Sequence, residues 1–142
     1  FGPAYKGIPL AASVATIVSD RTSNLISISF DRKEEKNHGE GGKIVGSVAG
    51  KKVLILDDVL TAGTALNQSI ELVREMGGDV VSAVVALDRE ELVGGVLARE
   101  MIEGKTNSKL LSIATISQLV DFFNQKNKIK EAQLIENYLS KQ

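Results

Sequence analysis

An α/β fold, a parallel sheet flanked by helices on both faces, is what this sequence predicts, and three observations predict it. Residues 53–56 and 80–87 are nearly continuous aliphatic runs, each ending abruptly in charged residues, Asp57-Asp58 and Asp88-Arg89. Between them, Leu66, Ile70, Leu72, Val73 and Met76 fall near helical spacing over residues 64–76, and Gly77-Gly78 stop the pattern. Further along the chain strand-like and helix-like stretches continue to alternate, which implies parallel strands with helices packed against them.

The elements follow in order. Residues 8–18 are rich in alanine and aliphatic side chains, with Ser13 and Thr16 among them, as suits a mostly buried helix starting near Gly7-Ile8-Pro9. Residues 25–30 alternate apolar residues with serine and read as a strand. Residues 31–43, DRKEEKNHGEGGK, are too polar and glycine-rich to bury and read as a long mobile loop, bounded by the apolar-leaning residues 44–48. The run 53–56 reads as a strand buried on both faces whose carboxyl end emerges at a polar site. A helix over 64–76 and a second buried strand over 80–87 come next. Residues 90–103 are expected to be helical in part, although Gly94-Gly95 weakens the pattern. A short strand over 109–114, a helix over 117–125 and a final amphipathic helix over 129–139 complete the chain. No repeat or interdomain linker is visible, so residues 1–142 read as one domain.

Composition narrows the chemistry. A chain of 142 residues, 43% of them hydrophobic, can enclose one real core. Its 17 basic and 18 acidic residues are spread along the length for a net charge of −1, so no global field draws it to nucleic acid or an anionic membrane. Any anion site must be local. With no cysteine and a single histidine, His38, a disulfide framework and a zinc site of the usual ligands are excluded, whereas a hard, oxygen-bound cation is not. The apolar run at 80–87 is far short of the roughly 20 residues that cross a bilayer. A soluble protein is expected, and the lack of cysteine fits a reducing cytoplasm. Phe1-Gly2-Pro3 enters a turn with no element to launch it, so an upstream segment is expected to be absent.

The densest pattern is VLILDDVLTAGT over residues 53–64: four aliphatics, two acids, two aliphatics and a small-residue turn leading into a helix. Thr61, Ala62, Gly63 and Thr64 leave little bulk between their amides and a ligand, and they set those amides at a helix N-terminus, which suits a phosphate. Asp57 and Asp58 can accept hydrogen bonds from sugar hydroxyls or organise a divalent cation, directly or through water. A mere helix cap would explain a lone acid pair, but not the whole pattern. Other phosphate motifs fail: Lys43 is followed by Ile44, which rules out Gly-x-x-x-x-Gly-Lys-Ser/Thr, and Gly39-Glu40-Gly41 does not extend to a dinucleotide fingerprint.

This pattern resembles the phosphoribosyl pyrophosphate (PRPP) motif of the type I phosphoribosyltransferases. Two more stretches narrow the resemblance to the orotate phosphoribosyltransferases. One is FGPAYKGIP over residues 1–9; the other is RKEEKNHGEG over residues 32–41, similar to that family's flexible catalytic loop of pattern RKxxKxHGxGG. The resemblance covers essentially the whole chain, strongly through Arg89 and more weakly from Glu91 onward.

It implies a type I phosphoribosyltransferase fold and the transfer of phosphoribosyl from PRPP to orotate, giving orotidine 5′-monophosphate and pyrophosphate in UMP biosynthesis, with Mg2+ as cofactor. It also implies roles. Tyr5 and Lys6 belong to the PRPP site, Lys6 on the diphosphate, where the turn of Gly2, Pro3 and Gly7 would hold an ammonium. Arg32, Lys33, Lys36 and His38 serve the same diphosphate, and Lys36 assists its departure. Negative charge grows on that leaving group, so cations arriving with loop closure stabilise it and exclude water. Asp57 and Asp58 hold the ribose hydroxyls and the metal, and Lys36, Asp57 and Asp58 form the catalytic set. Val59 and Leu60 line the same site, while the backbone of Thr61, Ala62, Gly63, Thr64 and Ala65 cradles the 5′-phosphate. Thr61 and Arg89 align with orotate contacts, and a guanidinium suits a planar, anionic pyrimidine. Because the family's loop closes over the neighbouring subunit, a homodimer is implied.

Each assignment has a plainer competitor: a surface lysine beside a turn, a solvated charged loop, an arginine paired with Asp88 or Glu90. Two rivals to the whole reading are a purine phosphoribosyltransferase, which shares the acid pair and turn without this loop, and a non-enzymatic PRPP sensor that binds nucleic acid. Neutral charge and the intact loop pattern argue against the second.

Overall fold

The computed structural model describes residues 1–32 and 43–140. In chain order the elements are α1 (Gly7–Thr22), β1 (Phe30–Asp31), β2 (Ile44–Val45), β3 (Lys52–Leu60), α2 (Thr64–Glu75), β4 (Asp79–Asp88), β5 (Leu92–Val93), β6 (Val96–Leu97), α3 (Ala98–Thr106), β7 (Leu110–Thr115), α4 (Ile116–Gln125) and α5 (Ile129–Leu139). The aliphatic runs behave as their composition demands. β3, β4 and β7 form a parallel sheet in that order, with Ile55 opposite Ala83 and Ala83 opposite Leu110. Buried side chains Ile55, Ala83, Val85 and Leu110 on the sheet meet Leu66, Ile70 and Val73 of α2 and Ile102 of α3 in one core. α1 packs on β3, enclosing with Leu54 and Leu56 a cavity of about 290 Å³ lined by Ala11, Val14, Ala15 and Val18.

The register carries the functional consequence. Leu60 lies beside Asp88, and Asp88 beside Thr115, so the three strands finish level with one another. Residues just beyond a row of parallel strand ends are free of the ladder and can turn toward a ligand. The chain start extends the same sheet: Leu56 N–H donates to the carbonyl of Phe1 at 2.8 Å, and Gly2 N–H to that of Ser29 at 3.0 Å.

Five expectations need correction. The segment 25–30 joins a ladder only at Phe30, because the Ile26 N–H is taken by the Ser19 hydroxyl of α1 at 2.9 Å rather than by a strand partner. β3 does not end before its acids; β4 continues to Asp88, and pairing of Val59 with Leu87 and Leu60 with Asp88 keeps Asp57-Asp58 within the strand. Nor are the strands buried on both faces: Leu54 and Val81 are each 37% exposed, since α2 and α3 cover one face while α1 is centred on β3. Residues 92–97 form a hairpin instead of helix, because Gly94 and Gly95 both adopt positive φ, at 61° and 84°, as a two-residue turn between right-twisted strands requires. The remaining helices stand where the periodicity put them, and α5 has the predicted bounds, but α1 is not mostly buried: only Gly7, Ala11 and Ala15 are, because a single face of it packs on β3. Among the described residues no helix is long and apolar enough to cross a membrane.

Candidate active site

Close packing of glycine places the first candidate. Gly2 and Gly7 lie against each other and against β3, so densely that a Cβ on Gly7 would come within 2.7 Å of the Leu56 carbonyl oxygen. The turn between them is closed by Gly7 N–H donating to the Pro3 carbonyl at 2.9 Å and by Ala4 N–H donating to Asp31 Oδ1 at 2.5 Å. This presses residues 3–7 onto the side of β3 and sets Lys6 against Asp58, with Nζ and Oδ2 in an ion pair. The Lys6 side chain is 75% exposed and that of Asp58 32%, so the pair sits at a solvent-open rim where either partner can exchange for a ligand. Tyr5, beside it, is exposed.

The adjacent acids are not equivalent. Burial pushes the Asp57 carboxyl above its ordinary range; the Asp58 N–H, donating to Asp57 Oδ1 at 2.9 Å, works against that, and the neighbouring Asp58 charge adds to it. Burial acts upward on Asp58 too, but the hydrogen bond and charge of Lys6 outweigh it and hold Asp58 below the usual value, while Lys6 is raised chiefly by its hydrogen bond to Asp58. A carboxyl raised in the folded state loses stability as pH climbs through its folded value, so at neutral pH ionised Asp57 costs stability. Asp57→Asn should therefore raise Tm at pH 7 by on the order of 1–2 °C, modest because water still screens the half-buried site. That gain should vanish below about pH 4, where the acid is protonated folded or unfolded. Asp58→Asn should shift Tm slightly the other way, since a depressed carboxyl contributes stability above its unfolded value. Thermal melts from pH 3 to 8 would check both signs.

Beyond the acids, the chain leaves β3 through a bend into α2. Gly63 caps that helix at φ 79°, a left-handed conformation that disfavours side chains, and no side chain caps the N-terminus. The first-turn N–H groups precede the first helical bond, from Asn67 N–H to the Gly63 carbonyl, and the first turn holds no acidic residue. Buried Leu66, Ile70 and Val73 anchor the helix, so its open end is held still. The first-turn amides of α2 that follow Thr61 to Gly63 are thus left without a side-chain cap, the arrangement an anion would need. Arg89 arrives from the neighbouring strand: its N–H donates to the Leu60 carbonyl at 3.0 Å, one residue before Thr61.

The donor set also bears on a metal. Among the described residues no group of three or more His, Cys, Asp or Glu is placed to hold an ion. Two carboxylates, one of them rim-exposed, fit a small hard cation that keeps waters and takes its other ligands from a diphosphate, which is how magnesium binds.

A family model for the phosphoribosyl transferase domain matches residues 1–102. The chain belongs to the phosphoribosyl transferase family. Its relatives include the orotate phosphoribosyltransferase of Aliivibrio fischeri (strain MJ11), 41% identical over 127 residues that cover 89% of this chain and 60% of the relative. Orotate phosphoribosyltransferase 2 of Saccharomyces cerevisiae is 42% identical over 147 aligned positions, covering 97% of this chain and 65% of that one. Among solved structures, the orotate phosphoribosyltransferase of Francisella tularensis superposes with a TM-score of 0.75 at 28% identity, over 97% of this chain and 65% of its own. The chain thus spans between 60% and 65% of the length of these relatives. The expected type I phosphoribosyltransferase fold is the observed one.

In this phosphoribosyltransferase domain Lys6, Asp57, Asp58, residues 59–65 and Arg89 gather near the ends of β3 and β4. Lys33, Lys36 and His38 lie outside the described residues. Arg32 is exposed, and its N–H donates to the Lys43 carbonyl at 3.0 Å. Sequence reading missed Asp31, whose carboxylate fixes the Lys6 turn, and Glu91 and Tyr138, which hold the Arg89 side chain. It also misassigned the competitor for Arg89: Asp88 pairs with Arg99 instead. Partners separated by 27 and 49 residues leave no local pattern to find.

Proposed function

We propose that this domain catalyses transfer of the phosphoribosyl group of PRPP to orotate, a magnesium-dependent pentosyl transfer that releases pyrophosphate. The observation that carries the reading is the juxtaposition, at one sheet edge, of the Lys6–Asp58 ion pair with the open N-terminus of α2. Similarity to orotate phosphoribosyltransferases over most of the chain supports orotate as the base.

The C1′–oxygen bond to the diphosphate breaks as the pyrimidine nitrogen, its N–H proton released to water, bonds to C1′ through an oxocarbenium-like ribosyl centre. Little covalent chemistry falls to the protein, which positions and neutralises. The amides of Thr61 to Ala65 hold the 5′-phosphate, and Asp57 and Asp58 accept from the ribose hydroxyls. Lys6 exchanges Asp58 for a diphosphate oxygen. Asp57 and Asp58 would hold Mg2+, which would supply neutralisation of the diphosphate charge. Lys36, supplied with Arg32, Lys33 and His38 from the loop of a partner subunit in a homodimer, stabilises the departing pyrophosphate. Arg89 and Thr61 recognise the base. A cytoplasmic setting suits these soluble, charged substrates.

Orotate consumption, followed by ultraviolet absorbance with PRPP and Mg2+, tests the reading, with hypoxanthine and adenine as competitors. Turnover of orotate alone is expected. Turnover of a purine instead would move the chain to the purine branch of the family. Specific, salt-sensitive binding to nucleic acid without turnover would favour a PRPP sensor.

A further inference from the structure

Four successive residues at the carboxyl end of β4 are tied to three later helices. Asp88, fully buried, faces Arg99 of α3 with Oδ2 3.1 Å from Nε, a pairing of charges without the alignment of a hydrogen bond. Glu90 Oε2 accepts from the N–H and hydroxyl of Ser117 in α4, at 2.9 and 2.5 Å. Glu91 Oε1 accepts from the Tyr138 hydroxyl of α5 at 2.8 Å and lies 3.1 Å from Nη2 of Arg89. Arg89 donates from that same Nη2 to the Tyr138 oxygen, and its guanidinium carbon stands 4.8 Å from the centre of the Tyr138 ring.

One phenol therefore restrains the arginine twice. Its ring face attracts the cation, and its hydroxyl accepts from the guanidinium while donating to Glu91, which uses the group in both senses. Both polar contacts fall on Nη2, so Nε and Nη1 keep their N–H groups clear of protein partners among the described residues. The Arg89 side chain is 33% exposed, and an arginine at that exposure would ordinarily lose rotamer freedom on gripping a ligand. A partner that already holds the side chain reduces that loss and fixes the plane of the donor fork.

We propose that Tyr138 is a positioning residue that presets the Arg89 guanidinium for a planar anionic base, with Glu91 bracing the pair. The inference rests on the assignment of Arg89 to the base. It gives α5, beyond the residues matched by the family model, a part in base recognition.

Calorimetric titration of the full chain with orotate and, separately, with PRPP and Mg2+ tests it in Tyr138→Phe, Tyr138→Leu, Arg89→Gln and the double variants. Tyr138→Phe keeps the ring and loses the hydroxyl; Tyr138→Leu loses both. Orotate Kd should rise about 3–10-fold for the first and about 10–30-fold for the second, while PRPP Kd stays within about twofold. In the Arg89→Gln background neither change should have further effect, because the residue being positioned is gone. A Tyr138 effect that persists in that background, or that weakens PRPP equally, would reveal a merely structural role and overturn the proposal. So would unchanged orotate affinity in Tyr138→Leu when Arg89→Gln is impaired. If Arg89→Gln is itself silent, or the unsubstituted chain binds no orotate, the base assignment falls and the inference with it.

Discussion

Replacing Gly2 by alanine should cost the folded state on the order of 3 kcal/mol. The added methyl would sit 2.2 Å from the carbonyl oxygen of Gly7, 2.5 Å from its carbonyl carbon and 2.9 Å from the amide nitrogen of Ile8. All three are backbone atoms where α1 begins, so no rotamer change relieves the clash. Either the chain start leaves β3, forfeiting the buried Phe1 ring, or α1 shifts along the sheet. Both routes draw Lys6 away from Asp58. Urea unfolding would show the loss as a lowered midpoint with an unchanged slope. Gly104→Ala is the control, because nothing lies within 4 Å of its added carbon and an alanine in the last turn of α3 should stabilise by up to about 0.5–1 kcal/mol. An unfolding midpoint for Gly2→Ala equal to that of the parent would disprove the packing account.

Asp58→Asn should lower kcat/KM for phosphoribosyl transfer by about 100-fold or more, or roughly 3 kcal/mol of transition-state stabilisation, with a change in Tm of only a degree or so. Asparagine preserves shape and one acceptor oxygen, so the sugar hydroxyl keeps part of its hydrogen bonding. It lacks the charge that opposes a developing cation at the ribosyl carbon and that pairs with Lys6 in the unliganded domain. Deprived of its partner, Lys6 is left as an exposed ammonium with no defined position. The defect should therefore appear in both kcat and the affinity for PRPP. Steady-state kinetics with PRPP varied at saturating orotate measures it; activity within about threefold of the parent would remove Asp58 from the catalytic set.

Local chemistry accounts for what could be read directly. The periodicity of Leu66, Ile70 and Val73 specified α2 because a helix repeats its face every three or four residues whatever it packs against. The turn at Thr61 to Gly63 was legible because small residues and a positive-φ glycine are properties of the residues themselves. For the same reason the order of the main strands and helices, the PRPP-type motif and the family resemblance were all visible in the sequence. At two of the places where the sequence reading failed, a non-local contact had intervened; the 92–97 hairpin was instead decided locally, by the positive φ of Gly94 and Gly95. Residues 25–30 carry a strand pattern, yet the hydroxyl of Ser19 took the amide a strand would have used. The aliphatic run of β3 stops at Leu56, yet pairing with β4 carried the strand through the acids to Leu60.

The sequence by itself determined the kind of domain this is and the order of its main strands and helices, since both follow from short-range pattern. Only the tertiary structure decided which of two adjacent acids is held ionised by Lys6, 52 positions away, and which is raised by burial. It alone decided that Arg89 is held from the last helix. Desolvation and ion pairing depend on what the fold brings near a group, and chain neighbours that look identical in sequence can be given opposite surroundings by it.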